Sequence, residues 1–327
     1  MLNTAVALII FRRPALTARA LDAVARVKPR KLLVIADGPR PDHVEDRELC
    51  AATRAVIEQV DWECDVIKNY SDVNLGCGRR PATGISWVFD EVDEAIILED
   101  DCVPDPSFFR FCEELLARYR SDERVMHIAG STYREHPVRT PHSYFFSQWN
   151  GAWGWATWRR AWHYFDPTVR LWPQLSETSW LADLLDSDDV AIRYWADAFT
   201  AAYDREGDVD YWDHQWTFAC WANSGLTITP NVNLVSNLGC GLDATHTLFA
   251  GDPFANVPVN EMTFPLAHPP NVLQSRDIDR EHLHKQLVPR FSPPGLISRA
   301  RDMASHVAPR FMKQAYRKLA SAVDSSS

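Results

Sequence analysis

A chain of 327 residues with 46% hydrophobic and 24% charged residues is long enough for one large core and has the balance of a globular protein. Its net charge of -10 hides an asymmetry: from Lys285 onward eight Lys and Arg face only Asp302 and Asp324, a net +6, which leaves -16 on the first 284 residues. An acidic body argues against a nucleic-acid partner, because phosphate binding needs clustered Lys and Arg on the contact surface.

The apolar run Ala5 to Phe11 is followed by Arg12 and Arg13 with no small-residue cleavage pattern, so the expectation is a buried first strand and not a signal peptide. No stretch approaches the roughly 20 apolar residues that span a bilayer. The seven cysteines are scattered and never form a C-x-x-C pair, which suggests neither a zinc site nor a disulfide framework and fits a cytoplasmic chain.

In chain order, Pro14 suits the first turn of a helix, and Leu16, Ala20, Val24 and Val27 recur at helical spacing. A second strand, Lys31 to Ala36, ends in Asp37-Gly38-Pro39. A helix over about 43 to 60 follows, then a strand near Cys64 to Asn69, a helix from about 81 to 90 and a strand from Glu94 to Leu98. Alternating strands and helices predict an α/β sheet with helices on its faces. Ligands of such sheets bind outside the carboxyl ends of the strands, so Arg12-Arg13, Asp37-Gly38 and Glu99-Asp100-Asp101 are expected along one edge. Beyond residue 140 the character changes: eleven of the 13 tryptophans lie between Trp149 and Trp221.

The sharpest local signal is Ala95-Ile96-Ile97-Leu98-Glu99-Asp100-Asp101, an apolar strand that delivers three carboxylates to its end. Like charges so close repel unless a cation sits among them, and hard oxygen ligands suit Mn2+ or Mg2+. The plain alternative is a solvated acidic turn before the next helix.

Several segments in order resemble the GT-A glycosyltransferases, in particular the group similar to N-acetylglucosaminyltransferase I and bacterial polysaccharide sugar transferases. They are Ile9-Ile10-Phe11-Arg12-Arg13-Pro14, Val34-Ile35-Ala36-Asp37-Gly38, Asn74-Leu75-Gly76-Cys77-Gly78 with Arg79 and Arg80, and the Glu99-Asp100-Asp101 triplet. The resemblance implies that Asp37 contacts base or ribose, Arg13 and Arg80 the nucleotide, and Asp101 the metal, with Glu99 and Asp100 beside the donor.

Gly151-Ala152-Trp153-Gly154-Trp155 resembles the family's acceptor-side segment, which makes Trp153 and Trp155, with Trp212, candidate sugar contacts, since flat aromatic faces pack on apolar sugar faces. The alternative for each is core packing. Asp213, in Tyr211-Trp212-Asp213-His214-Gln215-Trp216, matches the family's general base; flanking tryptophans would raise its pKa, and the alternative is a helix cap. Downstream, His246 in Asp243-Ala244-Thr245-His246 is a candidate diphosphate or metal contact. His127, His214 and His268 receive no role.

The fold expected is thus α/β, with a central mixed sheet of the Rossmann-like GT-A kind flanked by helices. A catalytic domain over 1–270 would have a nucleotide half, 1–103, and an acceptor half, 104–270, followed by a basic helical tail over 271–327. The expected function is inverting, metal-dependent transfer of a hexosyl or N-acetylhexosaminyl group from a nucleoside-diphosphate sugar donor to a glycan acceptor or a lipid-linked glycan. A sugar nucleotidyltransferase and a non-catalytic carbohydrate-binding protein are the rivals. In the tail, Met312, Tyr316, Leu319 and Val323 fall on one helical face among Arg and Lys, a pattern that suits peripheral membrane contact or packing on the enzyme body.

Overall fold

The computed structural model describes residues 1–134, 136–239 and 257–288. His246 and the expected helix over 309–323 lie outside the described residues. In the first half, strands Ala5–Ile10 (β1), Lys31–Ala36 (β2), Asp65–Tyr70 (β3) and Glu94–Glu99 (β4) alternate with helices Pro14–Ala25 (α1), Asp46–Val56 (α2) and Gly76–Glu91 (α3). β1 pairs in parallel with β2 and β4, and β2 with β3. All of β1 is buried, as an unbroken apolar run in a doubly covered parallel sheet must be.

The second half contributes strand Cys102–Pro104 (β5), helix Pro106–Arg118 (α4) and strands Val125–Ala129 (β6), Tyr144–Ser147 (β7) and Trp155–Trp158 (β8). Helices Arg159–Trp162 (α5), Trp172–Ser176 (α6), Trp180–Leu184 (α7), Asp189–Asp204 (α8) and Asp213–Ala222 (α9) follow, then strands Leu226–Pro230 (β9) and Val235–Asn237 (β10) and helix Arg276–His282 (α10). One mixed sheet of eight strands joins the halves in the order β3-β2-β1-β4-β8-β6-β9-β7. β8 is antiparallel to both β4 and β6, and β9 is parallel to β6. The carboxyl ends of β1 to β4, β6 and β9 therefore share one edge. β5 and β10 pair separately beside it.

Alternate residues of the strands feed two cores. Val6, Leu8, Leu32, Val34, Ile96 and Leu98 pack with α1 and α4. Ala7, Ile9, Leu33, Ile35 and Ile97 pack with α3, α5 and α9. A third cluster gathers Trp149, Trp172, Trp195, Phe199, Phe218 and Trp221, so α9 is buried on two sides, between its sheet face and a helical lobe.

One boundary differs from expectation. Helix α3 begins at Gly76 and carries Pro81 inside it, where a start near residue 81 was expected. The cap comes from far away in sequence: the Asp37 carboxylate accepts the N–H groups of Leu75 at 2.9 Å and Gly76 at 3.0 Å. The first described residues of the segment expected as a tail make contacts with the body. The Asp279 carboxylate of α10 is buried, accepting from Ser147 Oγ at 2.5 Å and Gln148 N–H at 3.0 Å, and Leu283 joins the third cluster. Residues 271–288 thus pack on the body. Among the described residues no helix is long and apolar enough to cross a membrane, and Cys50, Cys64, Cys102, Cys112 and Cys220 are free thiols.

Gly78 lets α3 lie against the segment ahead of α9, since a Cβ there would sit 1.9 Å from the Val209 carbonyl oxygen. Gly78→Ala is expected to lower stability by roughly 2 kcal/mol through this overpacking. A thermal melt checks it; an unchanged midpoint would show that the two segments part freely.

Candidate active site

The sheet register levels the site. Ile9 stands opposite Glu99 and Ile10 opposite Ala36, so the residues after β1, β2 and β4 emerge side by side. Asp100 and Asp101 are buried and Glu99 is partly buried. The Phe11 N–H donates to Asp100 Oδ2 at 2.9 Å. Arg13 bridges the pair: its Nη2 lies 2.7 Å from Asp100 Oδ1 and its Nη1 donates to Asp101 Oδ2 at 2.9 Å. The Asp100 contact is a contact of charges without hydrogen-bond alignment, and Oδ1 has no hydrogen-bond partner.

Burial, then Asp101 and Asp100, pushes the Glu99 carboxyl far above the usual carboxylate range. Burial pushes Asp100 up as well, with Arg13 opposing. Burial disfavours the Arg13 charge, yet Asp100, Asp101 and Glu99 together outweigh it and raise the pKa. At an effective dielectric of about 20, unit charges about 4 Å apart interact by roughly 4 kcal/mol, so one cation near two carboxylates decides whether both ionise.

Asp101 is held from its far side too. Asn237 Nδ2 donates to its Oδ1 at 3.1 Å, and the Leu238 N–H to its carbonyl oxygen at 2.9 Å. A Cβ on Gly239 would lie 2.0 Å from Asp101 Oδ2, so only glycine lets the chain pass there. Nothing in the spacing of Asn237 announced this clasp, which depends on β10 pairing with β5.

Asp37 and Arg80 turn inward. Besides the two amides already described, the Asp37 carboxylate accepts the Gly38 N–H at 2.8 Å and Asn74 Nδ2 at 3.0 Å. Burial raises its pKa against these hydrogen bonds and the nearby Arg80. Arg80 Nε donates to the Ala36 carbonyl at 3.2 Å and its Nη2 to Asn69 Oδ1 at 2.8 Å. Both side chains brace the loop and strand ends that would face a nucleotide. Arg12, with a left-handed φ of 42°, points away from the acids to Asp46, 3.2 Å away, which Arg40 also holds.

Asp213 opens α9 and is half exposed. It stands near enough to the strand end for its charge to raise Glu99. The Asp213 Oδ1 accepts the His214 N–H at 3.1 Å, and the ring Nδ1 of His214 lies 3.1 Å from the same oxygen. Tyr194 reaches His214 Nε2 at 2.8 Å. With the proton on Nδ1, His214 donates to Asp213 and accepts from the Tyr194 hydroxyl, a chain that fixes the carboxylate. Sequence reasoning gave His214 no role because Tyr194 arrives from a different helix.

The tryptophans divide. Trp155 is wholly buried, with rings of His127 and Trp212 stacked on it at 4.8 and 5.5 Å, and Trp212 is 5% exposed. Neither presents a face to a sugar; both are core, the alternative that size favours. Trp153 is partly buried and meets Tyr133 edge-on at 5.1 Å, which leaves it the candidate sugar contact of the three. His127 is buried and neutral, its pKa pushed down to about 3 by desolvation. It accepts from Trp216 Nε1 and donates to the Gly151 carbonyl, each at 3.0 Å, tying α9 to the turn before Trp153.

The acid cluster fits a hard divalent cation on one specific ground: a buried carboxylate oxygen, Asp100 Oδ1, whose one close contact is the Arg13 charge at 2.7 Å, without an aligned N–H. It is not a closed cage. Among the described residues, the group of three ligand-bearing side chains with atoms within 4.8 Å is His43, Glu45 and Asp46, where Arg40 and Arg12 already hold Asp46. An open pair of carboxylates suits a cation completed by phosphate oxygens.

No family model matches the chain, and no curated protein matches it. Among solved structures the chain is similar to PcManGT, a mannosyltransferase from Pyrobaculum calidifontis in complex with GDP-Man and Mn2+, at 13% identity and a TM-score of 0.35. The match covers 49% of this chain and 45% of that one, so it spans less than half of either.

Asp37→Ala is expected to free the loop at Asn74 to Gly76 and to cost roughly 2–3 kcal/mol, since hydrogen bonds to a charged group are worth about 1.5–3 kcal/mol each and some are recovered by water. Hydrogen exchange reads it directly. Amides of Leu75 and Gly76 that stay as protected as in the unaltered protein would show that the loop is held by something else.

Proposed function

We propose that the chain is a GT-A-type glycosyltransferase that moves a hexosyl or N-acetylhexosaminyl group from a nucleoside diphosphate to a hydroxyl of a glycan or lipid-linked glycan, with inversion. The observation that carries this reading is the approach of two acidic groups: the strand end Glu99-Asp100-Asp101, with Asp100 and Asp101 buried, and the half-exposed Asp213 at the start of α9, whose charge acts on Glu99. An acid pair of unequal exposure suits two tasks, charge neutralisation and proton removal.

Asp101, with Asp100, would hold Mn2+ or Mg2+, which when bound offsets charge on the departing diphosphate. Asp213 would accept the acceptor hydroxyl proton as that oxygen attacks the anomeric carbon, and His214 with Tyr194 would keep its oxygen aimed. Asp37 and Arg80 support the nucleotide side through the loop they hold, and Trp153 offers an edge to a sugar. Arg13, Glu99 and, outside the described residues, His246 complete the donor side in this reading, and a cytoplasmic enzyme with a basic tail against the membrane is its cellular setting. A nucleotidyltransferase is less favoured, because the turn after β1 carries Arg12, Arg13 and Pro14 where such enzymes use a glycine-rich loop.

Thermal stabilisation by UDP-, GDP-, dTDP- and CMP-sugars with Mn2+ tests the reading; no shift with any of them would overturn it. Asp101→Asn is expected to abolish metal-assisted donor binding while the fold persists, because it removes one ligand charge and no core volume; undiminished binding by titration would move the site elsewhere.

Asp213→Asn is expected to lower turnover about 100-fold with donor affinity unchanged, the signature of a lost general base. Steady-state kinetics alongside donor titration separates the two quantities, and an equal fall in affinity would reduce Asp213 to a helix cap.

A further inference from the structure

We propose that Arg13 is a resident counter-cation of the acidic site, which bridges Asp100 and Asp101 and competes with a divalent cation for them until a nucleoside diphosphate draws it away. The proposal rests on the reading of that strand end as a donor site and adds the order in which charge is exchanged there.

The geometry gives three reasons. Arg13 spans both carboxylates, at 2.7 Å and 2.9 Å, and so occupies the space between the oxygens that a metal would share. The fit is imperfect: Asp100 Oδ1 receives charge without an aligned N–H, so a spherical cation, which has no preferred donor direction, satisfies it better. The guanidinium also has an open side. It is 23% exposed, on the residue just before α1, whereas Arg80 is 5% exposed and hydrogen-bonded to backbone at two strand ends.

The charges explain why the exchange needs a diphosphate. Three carboxyl groups, those of Glu99, Asp100 and Asp101, face the one guanidinium of Arg13. A metal ion entering alone must displace that cation into water or crowd beside it, and both weaken binding. A diphosphate supplies new oxygens for the same guanidinium, which forms forked hydrogen bonds to phosphate as readily as to carboxylate. Arg13 then moves a short way from carboxylate to phosphate, and the carboxylates are left for the metal.

The test is Mn2+ binding to the full chain without nucleotide, read from the electron paramagnetic resonance signal of free Mn2+. Removing Arg13 normally costs a ligand site its support, so a gain of affinity is an outcome that a merely structural arginine does not produce. Arg13→Gln is expected to bind Mn2+ at least about tenfold more tightly than the unaltered protein, while its affinity for nucleoside diphosphate with Mn2+ falls. Arg13→Lys keeps the charge but cannot bridge two carboxylates, and is expected to gain less, about two- to fivefold. This second variant carries the test if Arg13→Gln does not fold.

Unchanged or weaker Mn2+ binding in the folded variants, with metal-assisted nucleotide binding intact in the unaltered protein, would overturn the role of Arg13 and leave the donor site standing. Absence of metal-assisted nucleotide binding in the unaltered protein would remove the donor site itself. Tighter Mn2+ binding that Asp101→Asn does not abolish would place the ion elsewhere and also overturn the proposal.

Discussion

Three carboxylates at the end of a buried central strand cannot all be ionised without compensation, and the surroundings of β4 are arranged around that constraint. Phe11 gives Asp100 a backbone N–H, Asn237 gives Asp101 an amide, and Arg13 gives both a positive charge. They come from two distant parts of the chain: Phe11 and Arg13 from the short turn between β1 and α1, and Asn237 from the small β5–β10 ribbon. The first half of the fold can be understood as bringing these donors level, which the parallel register of β1 with β4 achieves to within a residue. The same constraint explains why burial is tolerated at Asp100 and Asp101 while Glu99, the least compensated of the three, stays partly open.

The opposite side of the site depends on packing. Helix α9 is sheathed by the sheet-facing cluster and by the helical lobe, so its first residue, Asp213, is placed by aromatic burial more than by polar contacts. His127 extends this wall to the turn at Gly151. Gly78 brings α3 against the segment leading into α9, and through Asp37 the start of α3 answers to the end of β2. A change at Asp37 is therefore a change at the start of α3 and, one contact further, at the wall that carries Asp213.

Period and composition sufficed for β1, β2, β4 and the strand-end acids, because a doubly covered parallel strand leaves a continuous apolar signature and three adjacent carboxylates leave another. They failed where one residue's role is set by another far away. A helix start is expected near residue 81, yet Asp37 starts α3 earlier by capping it across more than thirty residues. Trp155 and Trp212 carry the composition of a sugar platform, but their rings stack on each other and Trp155 also on His127, and no local pattern distinguishes a buried ring from an exposed one. Asn237, His214 and Tyr194 gain their meaning from β10 and α8 arriving beside residues distant in sequence.

The two sides of the site thus differ in stiffness. At the start of α9, Asp213 is held by a histidine and a tyrosine, themselves set against Trp195 and Tyr211, on a helix buried on both flanks. At the end of β4, charge is balanced by a partly exposed arginine with an unaligned contact. For the base that the proposed reading makes of Asp213, one direction has to be kept, since proton transfer is steep in geometry, and a rigid aromatic bed would supply that. For the donor site that the same reading makes of the strand end, a cation that can move would help to admit and release a charged ligand. Aromatic burial behind Asp213 and exposure at Arg13 would then answer two different demands.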